Sequence, residues 1–532
     1  MGITLIVGIV YLYRLDASGM WGDEADTGTF SRTTLSTGLP YAIVDGNAAV
    51  TGNCYQVSTG LLSRQLPWLQ YYVGAVSIRL CGDTVAGLRS AFALIGALAA
   101  LPLYGILQSR TRHAAVVTTI ALLHPQTMLF ARQARYYPLV ITLAACLAWL
   151  YVAGPRRVAA RRGLLGLAAC LLFHAHPVAA CGLALALVSH AWWFQRRRFP
   201  EILGASLLGF FSWCAWYWSL EPASQATLST WGVLRDSPVT WAALVTKGVV
   251  AGCTDLDHVG ALPLLAWAAL AAFGLMRRRD GLADQRADEH SIAVMFGSAV
   301  LASILLNAIL IGVEGPPGWA VLRYAPHAVP LAIIVLFLAI QHVLGSSRVS
   351  VSVWMVAMLC NLGAVNYWMP PFQRPSQPLS WWPLAYGEFL QDDEHDLAAI
   401  DRSLRIHLGS DSTLLILPRW WNDVWIYRMG DSFRLTPDVV AGSECAALVE
   451  KSIGPDALRR ALAPTHVLAY ESDLSTLALP PVAAFPMSRR SADGSRPELT
   501  RREFSPHTAA PGRVVLAAFP SSQPSDRITK RP

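Results

Sequence analysis

The sequence predicts a polytopic all-α membrane domain followed by a small α/β domain outside the membrane. Three observations predict it. Of 532 residues, 54% are hydrophobic and only 14% charged, where soluble domains carry roughly 25% charged residues. Apolar runs close to the ~20 residues needed to cross a bilayer recur along the first 370 residues. Beyond that point the apolar runs shorten and take on strand-like and amphipathic patterns.

The apolar runs lie near 1–17, 86–109, 113–131, 137–154, 158–175, 177–194, 200–220, 258–276, 291–313, 324–344 and 349–369. They give about eleven spans. The first has no basic segment before it and no small-residue cleavage site after it, so it reads as a span and not as a cleaved signal. A further run, "LPWLQYYVGAVSIRLCG" at 66–82, is either a span or an interfacial amphipathic helix. Charge decides between the two. With 66–82 in the interface, Arg110 and Arg112, Arg156, Arg157, Arg161 and Arg162, Arg196 to Arg198, Arg277 to Arg279, and Arg348 all fall on one face. By the positive-inside rule that face is the cytoplasm. The loop 18–85 and everything after 370 then face outward. The resulting organisation is a membrane domain at 1–370 that includes the outer loop 18–85, an extracytoplasmic α/β domain at 371–520, and a disordered polar tail at 521–532. In the α/β domain, "DDEHDLAAIDRSLRIHL" is helix-like, and "STLLILP", "THVLAY" and "GRVVLAAF" are strand-like.

The net charge of +7 does not point to nucleic acid, because the arginines sit in short knots between apolar runs. Nine cysteines show no C-x-x-C or Cys/His metal spacing. The acids are more telling. No Asp or Glu lies in the middle of a predicted span. Asp23, Glu24, Asp26, Glu221, Asp255, Asp257 and Glu314 gather at outer ends. Proton-coupled transporters usually need ionisable groups at mid-membrane, so this placement counts against transport and favours chemistry on a headgroup at the outer surface.

Several motifs resemble those of a known superfamily. "WGDEA" after the first span, Trp21 to Ala25, resembles the Asp-Glu signature of the GT-C glycosyltransferases. The nearest likeness is to the protein O-mannosyltransferase and lipid A aminoarabinose transferase branch. It continues in order through "LPWLQYYVGAVSIRLCGDTVAGLRSAFALIGALAALPLYGIL", "LLHPQTMLFARQARYYPLVITLAA", "FHAHP" and "LRYAPHAVP", covering residues 20–335. The resemblance implies that Asp23 is the general base of an inverting single displacement, with Glu24 orienting. The donor it implies is a polyprenyl-phosphate sugar. One departure stands out: where the family has His or Glu-Lys before its Pro-Pro, this chain has Ser63-Arg64-Gln65-Leu66-Pro67, leaving Arg64 as the basic residue without the acid.

Each candidate also has a plainer reading. Asp23, Glu24 and Asp26 fit the first turn of a helix, where the macrodipole favours acids. Arg132 and Arg135, three residues apart and followed by Tyr136 and Tyr137, suit bidentate phosphate binding. They also suit an interfacial belt. Arg323-Tyr324 offers the same choice. His174 and His176 flank Pro177 and read as pocket residues or as membrane-edge histidines. Asp255-Leu256-Asp257-His258 reads as a metal pair or as an N-cap. Glu314, in "EGPPGW", sits in a rigid outer turn able to line a pocket. No cofactor is implied, and no metal is assigned.

The expected protein is therefore an integral-membrane glycosyltransferase of the cytoplasmic membrane. It would move sugar from a polyprenyl-phosphate donor to an envelope lipid, polysaccharide or protein. A lipid or polysaccharide transporter and a non-catalytic envelope assembly protein are the alternatives.

Overall fold

The computed structural model describes residues 1–17, 20, 22–50, 57–64, 66–155, 157–222, 237–254, 267–268, 286–310, 324–345 and 348–359. Further along it describes 394–408, 412–416, 434–435, 437, 444–456, 460, 462, 464–470, 481–486 and 513–518. In chain order the helices are α1 (Gly2–Leu12), α2 (Gly22–Thr37), α3 (Leu69–Cys81), α4 (Val85–Leu98), α5 (Ala100–Leu107), α6 (Ala114–Leu123), α7 (Pro125–Ala131), α8 (Tyr136–Ala153) and α9 (Val158–Ala175). They continue with α10 (Pro177–Phe194), α11 (Phe199–Ser219), α12 (Pro238–Thr254), α13 (Arg286–Leu310), α14 (Ala328–Leu344), α15 (Arg348–Leu359), α16 (Glu394–His407) and α17 (Glu444–Ile453). The strands are β1 (Ile43–Val44), β2 (Asn47–Ala48), β3 (Thr413–Ile416), β4 (Arg434–Leu435), β5 (His466–Tyr470), β6 (Pro481–Pro486) and β7 (Arg513–Ala518).

The chain divides into two compact units. One comprises Met1–Tyr13, Phe92–Cys214 and Ser229–Glu388; the other comprises Arg14–Ala91, Ala215–Leu228 and Phe389–Pro532.

In the first unit, helices at Tyr136–Ala153, Val158–Ala175, Pro177–Phe194 and Ser291–Leu310 are long and apolar enough to cross a bilayer. The stretch Val85–Leu107, of which Phe92–Leu107 belongs to this unit, is a fifth such helix. α6 and α7 together make a sixth span, bent by 67°. The bend falls at His124-Pro125, because proline has no N–H to continue the helix ladder. The carbonyl of Leu122 that the bend releases accepts a hydrogen bond of 2.6 Å from the buried Tyr11 hydroxyl of α1. Polarity in this unit is inverted relative to a soluble protein. Leu101, Leu167, Leu185, Leu208 and Phe211 are exposed, while Gln126, Thr127, Gln133, Ser303 and Asn307 are buried. Lipid is the solvent that makes such a surface stable. The protein is a multi-pass membrane protein.

Of the span expected at 258–276 only residues 267 and 268 are described, and of the one expected at 349–369 only residues 349–359. At the N-terminus, helix stops at Leu12, and Arg14 takes a left-handed φ of 48°.

In the second unit α2 packs on α3, with Phe30 and Tyr71 ring centres 5.1 Å apart. At 13 residues, α3 extends about 20 Å, short of the ~30 Å hydrocarbon core. β1 and β2 form an antiparallel hairpin. Asp45 and Gly46 turn it with φ of 50° and 76°, the left-handed pair that a two-residue type I′ turn requires. Phe30, Ala42, Ala48, Val57, Leu61 and Tyr71 share one buried core with Ala446 and Val449 of α17. The remaining strands form a mixed sheet in the order β4-β3-β5-β7-β6. β3 is parallel to β4 and β5, and β7 is antiparallel to β5 and β6.

Candidate functional site

In the second unit, α2 begins at Gly22, so Asp23 and Glu24 occupy its first turn. Adjacent helical residues point about 100° apart, and the two acids have different surroundings. Glu24 is fully buried and paired with Arg89, itself 2% exposed. Arg89 Nε donates to Oε1 at 2.6 Å and Nη2 to Oε2 at 2.5 Å. Its Nη1 donates to Leu15 O at 2.6 Å. This fork-to-fork pair anchors the start of α2 to α4. Asp23 and Asp26 are half-buried. Thr27 Oγ1 donates to Asp23 O at 3.1 Å, which tightens the first turn.

Arg64 Nε donates to Leu220 O at 2.9 Å, and its guanidinium lies 4.0 Å from the Tyr217 ring centre. The Thr59 N–H donates to Glu221 O at 2.9 Å, strapping the same two segments together.

In the first unit, Arg132 occupies the C-cap position of α7 and Arg135 the N-cap position of α8. Arg132 Nη1 donates to Val10 O of α1 at 2.9 Å. Tyr136 and Tyr137 are both buried. The Tyr136 ring stacks on His176, with centres 4.3 Å apart and planes 21° apart. His176 stacks in turn on Tyr324, at 5.8 Å and 29°. The Arg135 guanidinium lies 5.6 Å from the Tyr136 ring centre.

His176 is the N-cap of α10, where its Nδ1 accepts the Ala179 N–H at 3.3 Å. Burial pushes this imidazole down to about 3, and Arg135 and His327 act in the same direction. The ring is therefore neutral and carries its proton on Nε2. His327 stands at the N-cap position of α14, and its Nε2 meets Ser303 Oγ at 3.1 Å. The stack thus gathers the N-termini of α8, α10 and α14 beside one guanidinium. Each N-terminus brings the partial positive charge of its helix dipole.

Of the sequence candidates, Arg135, Tyr136, His176 and Tyr324 come together here. His174 sits half-buried in the last turn of α9. Arg323, Glu314, Asp255, Asp257 and His258 lie outside the described residues. Among the described residues, no three His, Cys, Asp or Glu side chains are grouped to hold a metal. Arg89 and His327 were inside the quoted motifs, in "LRSAF" and "APHAVP", but no local spacing singled them out.

Close approach of α10 to α13 supports the cluster. A Cβ on Gly182 would lie 2.5 Å from Ser303 Oγ and 2.9 Å from Ser303 Cα. The Gly182→Ala variant is expected to lose about 1–3 kcal/mol by overpacking. Thermal unfolding in detergent checks this, with Ser303→Ala expected to lose less. Equal midpoints for wild type and Gly182→Ala would show that the helices are not in contact there.

No family model matches the chain, and no curated protein matches it. Among solved structures, the chain is similar to ArnT from Cupriavidus metallidurans bound to undecaprenyl phosphate. The identity is 16%, coverage is 98% of this chain and 97% of that one, and the TM-score is 0.48. It is also similar to the Archaeoglobus fulgidus oligosaccharyltransferase in complex with Zn and sulfate, at 11% identity, 88% and 68% coverage, and a TM-score of 0.47.

Proposed function

We propose that this protein is a membrane glycosyltransferase that takes a sugar from a polyprenyl-phosphate donor at the outer face of the cytoplasmic membrane. It passes the sugar, with inversion, to an envelope lipid, polysaccharide or protein. The observation that carries the proposal is the gathering of three helix N-termini, Arg135 and the Tyr136–His176–Tyr324 stack. Helix starts and a guanidinium favour a phosphate. The ordered GT-C motifs across 20–335 support the same chemistry.

In this mechanism Arg135, Arg132 and Arg323 hold the donor phosphate. Tyr324 donates to a phosphate oxygen, and Arg64 supplies a further positive charge. Asp23 takes the acceptor proton as the acceptor oxygen or nitrogen attacks the anomeric carbon. The C–O bond to phosphate breaks with its electron pair remaining on the phosphate, which leaves as a stable anion and needs no proton. His174, His176, Tyr136 and Glu314 line the pocket. The membrane domain has about eleven spans, and the domain after 370 faces outward.

The Arg135→Ala variant tests the donor site. Loss of one charge-assisted contact costs about 1.5–3 kcal/mol, so affinity for polyprenyl phosphate should fall roughly 10- to 150-fold. Arg135→Lys should fall less, because it keeps the charge and loses the planar fork. Unchanged affinity in Arg132→Ala, Arg135→Ala and Arg323→Ala would return these residues to the interfacial belt.

Sidedness has its own test. Cys54 and Cys445 should react with an impermeant thiol reagent from outside, and an Arg278→Cys variant only after permeabilisation. Reaction of Cys54 and Cys445 only after permeabilisation would exclude outer-face transfer.

A further inference from the structure

The transfer chemistry leaves a second cluster unused, at the opposite ends of α8 and α10. There the Tyr151 hydroxyl meets His190 Nδ1 at 2.8 Å, and His190 Nε2 meets Ser291 Oγ at 2.7 Å. The chain ties α8, α10 and the apolar part of α13 together. Phe194 stacks on His190 at 4.9 Å. This fixes the end of α10, from which the short 3₁₀ turn Arg196–Arg198 departs.

The turn is strongly cationic. Between residues 154 and 201 the sequence holds seven arginines and a single acid, Glu201. That carboxylate is nearly buried and already occupied. It accepts from Arg161 at 2.7–3.0 Å and from Arg162 at 3.3 Å. Arg196 and Arg197 are exposed. Arg196 lies 5.8 Å from the Trp192 ring centre, and Arg198 lies 5.9 Å from that of Tyr151. The Nη1 atom of Arg198 is buried and has no hydrogen-bond partner among the described residues. Beside the guanidinium groups runs an apolar track: Trp192 is 50% exposed, Trp193 54%, and Leu185 53%. Leu185 and Trp192 are seven residues apart and so share a helix face.

We propose that Arg196, Arg197 and Arg198 bind the headgroup phosphate of an anionic phospholipid, whose acyl chain lies along Trp192 and Leu185. Two features favour this occupant over a soluble anion or an acidic peptide. The cation cluster opens directly onto an apolar helix face of bilayer-spanning length, and indoles sit at headgroup level in membranes. Basic clusters next to membrane helices attract anionic lipid in the same way. Arg198, half-buried, provides the inner contact, and the Tyr151–His190–Ser291 chain holds the turn in place. The site does not depend on the transfer reaction.

The test uses the full-length protein in detergent. Binding is read by native mass spectrometry and by thermal unfolding, with phosphatidylglycerol, phosphatidylcholine or inorganic phosphate added. Phosphatidylglycerol is expected to bind at least about tenfold more tightly than phosphatidylcholine, a preference set by charge-assisted phosphate contacts, and to raise the unfolding midpoint. The variant Arg196→Gln/Arg197→Gln/Arg198→Gln should lose the preference. Should that variant fail to fold, Arg196→Gln/Arg197→Gln changes only exposed side chains and should reduce the preference. Arg162→Gln, which alters an arginine already paired with Glu201, should keep it. Equal binding of the two lipids by wild type overturns the proposal. So does an unchanged preference in the arginine variants. An equal shift with inorganic phosphate alone also overturns it, by assigning the cluster to a free anion.

Discussion

Replacing Asp23 with Asn is expected to slow sugar transfer roughly 10²–10⁴-fold, the range a general base contributes, while donor affinity stays close to wild type. The side chains are the same size, so the start of α2 keeps its shape and only the proton acceptor is lost. The neighbouring acid cannot replace it. Glu24 is buried, and both of its oxygens accept from Arg89. Asp23 is half-buried and lies in the same first turn. Asp26→Asn should have the smallest effect of the three acids. The measurement is single-turnover transfer from a polyprenyl-phosphate donor, with donor affinity measured in parallel. Transfer at the wild-type rate by Asp23→Asn would make Asp23 a helix-start acid, and the base would then be sought at Glu314 or Asp255.

Helix positions were legible in the sequence wherever apolar length and a breaker coincide. The runs at 137–154, 158–175 and 177–194 correspond to Tyr136–Ala153, Val158–Ala175 and Pro177–Phe194. Pro177 marks one boundary because it lacks the N–H needed inside a helix. The run at 113–131 gave no sign of its 67° bend, because hydropathy averages over direction; Pro125 was the available signal. The tertiary pairings were not legible. Tyr136, His176 and Tyr324 are far apart in sequence, and only packing brings them into one stack. Glu24 and Arg89 are separated by 65 positions. Arg64 read as a basic residue preceding a proline, yet its Nε is bonded to Leu220 O and its face rests on Tyr217. Periodicity reports which face is buried. It cannot report which distant residue lies opposite.

Breaking the Glu24–Arg89 pair is expected to be the largest stability effect in the described structure. Both side chains are at most 2% exposed, so removing one partner leaves the other charge buried without compensation. Such changes cost about 3–5 kcal/mol. Glu24→Gln and Arg89→Met should therefore each lower the unfolding midpoint in detergent sharply. The double variant should be milder than the sum of the two, since neither charge is then left behind. This expectation separates a structural Glu24 from a catalytic one. With a structural role, Glu24→Gln loses folded protein, but the molecules that remain folded transfer sugar at close to the wild-type rate. With an orienting role at the reacting centre, transfer per folded molecule falls even where the protein is fully folded. An unchanged midpoint together with a slowed single turnover would remove the structural account. The fork between Arg89 and Glu24 would then be a contact that adjusts Asp23 through the first turn of α2.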